Sequence, residues 1–196
     1  MTSPTRNVLI AAVGGQGALL AARVLGRYAV GRGLDVKKSE IHGMSQRGGS
    51  VVTHVRFGPQ VHSPVIERGA ADTLIAFEML EALRHLPALR PGGTLIVNTQ
   101  QIPPLPVSIG AASYPDGLEQ AFASRDLTTV PVDGRALALR AGNEKAVNVV
   151  DWVMRRVPEA EPIGRPLAVR SAGVKDLRFG ALVEEGARHD VGRFHA

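Results

Sequence analysis

Two short stretches of this chain carry the side chains and backbone best suited to gripping an anion. "IHGMSQRGGSVV", residues 41 to 52, sets His42, Ser45, Gln46 and Arg47 ahead of Gly48 and Gly49, between two apolar runs that a two-residue turn would suffice to join. Ser and Gln donate neutral hydrogen bonds, Arg47 can take a carboxylate or phosphate in a bidentate grip, and paired glycines let the backbone come close to a ligand. "AAVGGQGALLAARVLG" places Gly14, Gly15, Gln16 and Gly17 between an apolar run and a helical pattern, aiming the first amides and the positive end of the helix beyond the strand. Each stretch has a plainer reading. The first could satisfy buried backbone groups or a neighbouring chain, and the second could be a tight turn that seats a helix on a strand.

Known signatures narrow the chemistry. From Gly15 the spacing is G-x-G-x-x-L, with Leu20 where a dinucleotide fingerprint needs glycine or alanine, and no Lys-Ser or Lys-Thr pair follows to make a phosphate loop. His42, His54, His62 and His85 show no i, i+3 or i, i+4 pairing and there is no cysteine, so no metal site is expected; His54 falls in a strand, where it is read as pointing outward. No G-x-S-x-G elbow appears, and no lysine stands in an apolar setting. Glu78 and Glu81 are explained as the acidic start of a helix. The residues thus give an anion-competent rim without a catalytic set, which suits part of an enzyme better than a whole one.

The elements that must hold these stretches read as strand alternating with helix. "NVLIAAV" (Asn7 to Val13) has the length of a strand buried on both faces, and Leu19, Leu20, Arg23, Val24, Arg27 and Tyr28 fall at helical spacing up to Gly31 or Gly33. "LDVKKSEI" is a second strand, "SVVTHVRFG" (Ser50 to Gly58) a half-exposed one, and "TLIAF" (Thr73 to Phe77) a buried one. "EMLEALRHLPAL" is a helix, and "GTLIVN" (Gly93 to Asn98) a strand entered through a Pro-Gly-Gly turn. "TQQIPPLPVSIGAASYPDG" reads as a long loop holding one short strand. "DLTTVPVDG" contains a strand, "RALALRAG" follows it, and "NEKAVNVVDWVMRRV" is an amphipathic helix with Ala146, Val149, Val150 and Val153 on one side. The expected fold is α/β and Rossmann-like, a mainly parallel sheet flanked by helices, in a domain of residues 1–157. Residues 158–196, with one helix near Phe179 to Arg188, form an irregular C-terminal arm too poor in apolar residues for a core of its own. Placing the first and second strands side by side puts "GGQG" and "HGMSQRGG" on one rim, where open α/β sheets bind ligands.

Composition sets outer limits. A chain of 196 residues, 44% hydrophobic, suffices for one domain with a substantial core. The absence of cysteine rules out disulfides and thiolate-held zinc or iron–sulfur clusters in this sequence, so any cluster belongs to a partner. Of the net +5, residues 1–60 supply +6, eight basic residues against two acidic, leaving 15 against 16 elsewhere. The basic residues are spaced and aromatics are few, which argues against nucleic acid and for an anionic small molecule or an acidic partner surface. No leader pattern is seen, and no apolar window approaches the roughly 20 residues of a membrane span, so no membrane association and a cytoplasmic location are expected.

Taken together, "VGGQGALLAARVLG", "VKKSEIHGMSQRGGSVVTHVRFG" and "SPVIERGAADTLIAFEMLEALRHLPALRPGGTLIVNT" resemble the gamma-type domain of the 2-oxoacid:ferredoxin oxidoreductases, most closely the indolepyruvate-type beta subunits. The resemblance spans roughly residues 6–157, with Asn143 and Asn148 fitting the family's late "A…GN…N" region. It implies oxidative decarboxylation of an aryl 2-oxoacid with coenzyme A, giving acyl-coenzyme A, carbon dioxide and reduced ferredoxin. Thiamine diphosphate and iron–sulfur clusters would lie in a large alpha subunit, this chain alone binding no cofactor. It also implies that Gly14, Gly15, Gln16, Gly17, Ser45, Gln46, Arg47, Gly48 and Gly49 face the site. The ending "VKDLRFGALVEEGARH" lacks the Asn-rich close of the family. The residues without the resemblance would equally suit a stand-alone Rossmann-like protein binding a flavin or coenzyme A.

Overall fold

The apolar run that opens the chain forms the middle of a six-stranded sheet. The computed structural model describes residues 5–42 and 49–140. Strand β1 (Arg6–Val13) is buried from Val8 to Ala12 and divides its side chains between two cores. Val8, Ile10 and Ala12 face one, Leu9 and Ala11 the other, as the two-residue period of a strand requires. Helix α1 (Ala18–Gly31) covers the first core. It buries Ala18, Ala21, Ala22, Leu25 and Ala29, and four alanines among five bring its axis close to the sheet. Helix α2 (Met79–His85) covers the second core with Met79 and Ala82, beside Leu86, and helix α4 (Leu118–Ala123) adds Leu118 and Phe122.

Strands β2 (Asp35–His42), β3 (Ser50–Gly58), β4 (Ala71–Ala76), β5 (Leu89–Asn98) and β6 (Leu127–Val132) complete the sheet in the order β2-β3-β1-β4-β5-β6. β1, β4, β5 and β6 run parallel, and β3 is antiparallel to both neighbours, so the sheet is mainly parallel as expected. One expectation fails here. β2 does not lie beside β1, because β3 is inserted between them. Only 43–49 separates β2 from β3, too little chain for a parallel crossover, so the two pair as a hairpin. The interior position also overturns the half-exposed reading of β3. Val51, Val52, Thr53, His54, Val55 and Phe57 are all buried, since α1 lies on one face and Ile66, from the following segment, on the other.

Smaller departures have backbone causes. The helix read through "EMLEALRHLPAL" stops at His85 and tightens into a 3-10 turn at Leu86–Ala88, because Pro87 cannot continue the α ladder. The Pro-Gly-Gly stretch belongs to β5 itself as an irregularity opposite β4, whose register shifts between Ala71 and Thr73. Gly93 is required there, since a Cβ would stand 2.9 Å from the Arg90 carbonyl oxygen. No strand occurs between 99 and 117. Pro103, Pro104 and Pro106 would remove ladder donors, and the chain makes a short helix α3 (Leu105–Ser108) with proline in its first turn, where no amide is needed. Helix α4, "LEQAFA", was not anticipated. Helix α5 (Gly134–Arg140) follows β6 and takes up the stretch "RALALR". The helix expected over 143–157 with Asn143 and Asn148, and the arm 158–196, lie outside the described residues.

Candidate functional site

β1 and β4 are adjacent and parallel, but the chain leaves their ends on opposite faces, toward α1 from β1 and toward α2 from β4. Such a switch point opens a crevice at the C-terminal ends of the strands, the usual ligand position in open α/β sheets. The turn Gly14–Gly17 follows the end of β1, and Phe77 and Glu78 follow the end of β4. Gly15 (φ 95°) and Gly17 (φ 82°, the N-cap of α1) are left-handed, which gives the turn its need for glycine. A Cβ on Gly15 would meet nothing within 4 Å, so it is conformation, not crowding, that demands glycine there, and the backbone stands open to the outside. Ala18, Leu19 and Leu20 open α1, where amides have no acceptor within the helix.

The two glycine stretches do share this edge, although not for the reason that strand adjacency supplied. β3 runs opposite to β1, so it begins where β1 ends: Ser50 pairs with Val13, and the Gly14 amide donates to the Gly49 carbonyl at 2.8 Å. Ser45, Gln46, Arg47 and Gly48 lie outside the described residues, as does the side chain of His42. Gln16 turns out to be a tie. Its Oε1 accepts from the Val13 amide at 2.8 Å, and its Nε2 donates to the Phe77 carbonyl at 2.9 Å and to Gln100 Oε1 at 3.3 Å. One side-chain amide thereby clamps the ends of β1 and β4 and reaches the segment after β5.

The acidic residues beneath the crevice do more than start a helix. Glu78 is 1% exposed and accepts three hydrogen bonds, from the Glu81 amide (2.9 Å), the Ile102 amide (3.0 Å) and the Tyr114 hydroxyl. Burial, reinforced by Glu78, holds the Tyr114 phenol above its ordinary range. Glu81, 2% exposed, accepts from Ser50 Oγ and from Arg84 (2.7 Å), with His85 Nε2 at 3.7 Å. Burial pushes its carboxyl up, but His85, Ser50 and the Arg84 charge outweigh burial and leave it below the usual carboxylate range. Ser50, Glu81 and His85 do not form a nucleophilic triad, because the serine donates to the carboxylate, and both meet the same imidazole nitrogen.

His54 corrects the outward reading. It is buried, its Nδ1 accepts from the Ile66 amide at 3.1 Å, and burial with the nearby His85 lowers its pKa. These roles were visible only as a carboxylate directly after a buried strand and a second one a turn later, a weak signal. Among the described residues no cluster of three or more His, Cys, Asp or Glu could hold a metal ion. Much of the basic excess is committed elsewhere: Arg56 bridges Asn7, Ser63 and Val65, while Lys37 and Lys38 pair with Asp35 and Glu40. No helix among the described residues is long and apolar enough to cross a membrane.

Residues 7–151 match the family described as pyruvate ferredoxin/flavodoxin oxidoreductase. Indolepyruvate oxidoreductase subunit IorB of Pyrococcus horikoshii is 43% identical over 150 residues, 74% of this chain and 73% of its own. The subunit of the same name from Archaeoglobus fulgidus is 43% identical over 146 residues, 74% and 72% of the two chains. Among solved structures, the gamma subunit of a keto/oxoacid ferredoxin oxidoreductase from Geobacter sulfurreducens superposes with a TM-score of 0.50 at 20% identity, covering 73% of this chain and 70% of that one. Pyruvate oxidoreductase subunit PORC from Thermotoga maritima gives 0.57 at 17% identity, covering 82% and 80%. At these identities the two structures speak for the fold.

Proposed function

The chain belongs to the pyruvate ferredoxin/flavodoxin oxidoreductase family, and from that membership we propose that it is the small subunit of an indolepyruvate-type 2-oxoacid ferredoxin oxidoreductase. The complex oxidatively decarboxylates an aryl 2-oxoacid with coenzyme A, giving acyl-coenzyme A, carbon dioxide and reduced ferredoxin, in the cytoplasm. The observation that carries this reading is the meeting of the two glycine stretches at one edge through the Gly14–Gly49 bond, next to the β1/β4 crevice.

Thiamine diphosphate and the iron–sulfur clusters supply the decarboxylation and electron transfer from the larger alpha subunit. A chain without cysteine offers no thiolate for a cluster, and its described residues offer no metal cluster of other ligands. What this chain brings is an edge of open backbone. Gly14, Gly15, Gly17 and Gly49 let a phosphate or carboxylate approach the main chain, and Gln16 fixes the turn through its own hydrogen bonds. Ser45, Gln46, Arg47 and Gly48 supply donors to the coenzyme A phosphates or to the neighbouring active site, covering it against water. The stand-alone flavin- or coenzyme A-binding alternative has less support, since the relatives at 38–43% identity are named as subunits.

Reconstitution is the test. The chain and the larger subunit together should reduce ferredoxin with indolepyruvate and coenzyme A, each chain alone should not, and Arg47→Ala should raise the KM for coenzyme A in a complex that still assembles. A larger subunit fully active without this chain, or no complex between the two, would defeat the proposal.

A further inference from the structure

The segment 99–117 leaves the C-terminal edge of β5 and returns to α4 as an ordered projection. Glu78 holds both limbs at the base, Ile102 by its amide at 3.0 Å and Tyr114 by its hydroxyl. Above them the backbone is internally bonded: the Ser108 amide to the Pro104 carbonyl (3.0 Å), Ile109 to Leu105 (3.0 Å) and Ala111 to Pro106 (2.8 Å). Three prolines stiffen it further. At its tip Leu105 and Ile109, four residues apart on one helical turn, are 71% and 68% exposed, the highest values of any large apolar side chain among the described residues.

Single exposed leucines are ordinary on protein surfaces. An ordered pair on a rigid stem is different, because the chain spends conformational entropy to hold it, and among the described residues both side chains stay largely exposed. Charge identifies the occupant. From Thr99 to Pro115 there is no Asp, Glu, Lys, Arg or His, in a chain that is 21% charged, so the complementary surface is apolar and uncharged, like the charge-depleted centre of a subunit interface. Position agrees. Gln100, at the foot of the projection, accepts from Gln16 of the glycine turn, so projection and candidate site share one edge.

We propose that Leu105 and Ile109 form a preformed knob that docks into an apolar depression on the larger subunit. The inference rests on the functional reading above, which turns this edge toward that subunit. Because the knob is ordered before contact, binding loses little further freedom.

The test uses the full chain co-expressed with the tagged larger subunit. Leu105→Asp/Ile109→Asp should weaken association by about tenfold or more, as loss of a central apolar anchor does. Val30→Asp, at the next most exposed large apolar site among the described residues (61%), near the far end of α1, should leave association unchanged. The double variant should melt within about 2 °C of wild type, as expected for exposed positions; should it fail to fold, Leu105→Ser/Ile109→Ser replaces it, with the same expected loss. Undiminished affinity in a folded double variant overturns the docking proposal while leaving the functional reading intact. So does an equal loss from Val30→Asp. A wild-type chain that does not bind the larger subunit refutes the functional reading, and the knob with it. If wild type self-associates and the double variant abolishes only that, the occupant is a second copy and the proposal fails.

Discussion

Replacing Glu78 with glutamine changes one atom group in a buried node of three hydrogen bonds. All three neighbours donate to this side chain: the Glu81 amide to Oε2, and the Ile102 amide and the Tyr114 hydroxyl to Oε1. A glutamine has one acceptor oxygen and one donor group. With the oxygen toward Glu81 the cap of α2 survives, but the new NH2 faces the Ile102 amide, donor against donor. With the oxygen toward Ile102 and Tyr114, the capping amide is orphaned instead. The hydroxyl can rotate to accept, whereas a backbone amide cannot, so either orientation strands one N–H. The cost is about 1–3 kcal/mol for an unsatisfied buried donor. At about 2–4 °C per kcal/mol for a protein of this size, Glu78→Gln should melt about 2–12 °C below wild type by circular dichroism. The same variant removes the carboxylate beside one of the two tyrosines, so the high spectrophotometric titration step of Tyr114 should move down. A melt within about 1 °C of wild type, or an unmoved tyrosine step, would refute the three-donor description of this node.

Three further outcomes follow from the packing and titration of the domain. Leu25→Ala, at a side chain 1% exposed between α1 and the sheet, should cost about 2–5 kcal/mol in urea unfolding, and a smaller loss would mean the helix closes the gap. Gly15→Ala meets no atoms but must hold φ near 95°, so it should cost about 1–2 kcal/mol by conformation alone. His54 and Glu81 both titrate lower in the folded protein than their ordinary 6.5 and 4.5, so the unfolded chain takes up protons first. Stability from His54 is full above pH 6.5 and is lost as pH falls through its lowered folded value; the Glu81 part follows below 4.5, and Glu81→Gln should flatten that lower limb of a melting-temperature profile.

Where periodicity speaks directly, the sequence was a sound guide. "NVLIAAV", the α1 spacing to Gly31 and "TLIAF" correspond closely to β1, α1 and β4. β3 was misread because His54 and Arg56, alternating with Val55 and Phe57, look like a solvent face, and only the following segment, through Ile66, covers His54. Strand order was legible in part. A helix-free connection of residues 43–49 pointed to a hairpin, but nothing in the chain announces that β3 would enter between β2 and β1. Gly49 and Ser50 still meet the end of β1 and the glycine turn, because an antiparallel strand starts where its neighbour ends. The Glu78 node was beyond reach, since its partners come from 24 and 36 residues away and from a loop whose prolines suggested only irregularity. Gln16 looked like a ligand residue because a polar side chain among glycines does; its engagement with Val13, Phe77 and Gln100 depends on strand ends that meet only in the fold.

The hairpin insertion of β3 also fixes where the chain can be edited. His42 is paired with Val51 and Val13 with Ser50, so main-chain ladders fix both ends of the connection between β2 and β3. Because β3 is also held along its other edge by β1, the register of the β2–β3 pair does not rest on their connection alone. The same two pairs mark the boundaries between which a grafted sequence would be spliced.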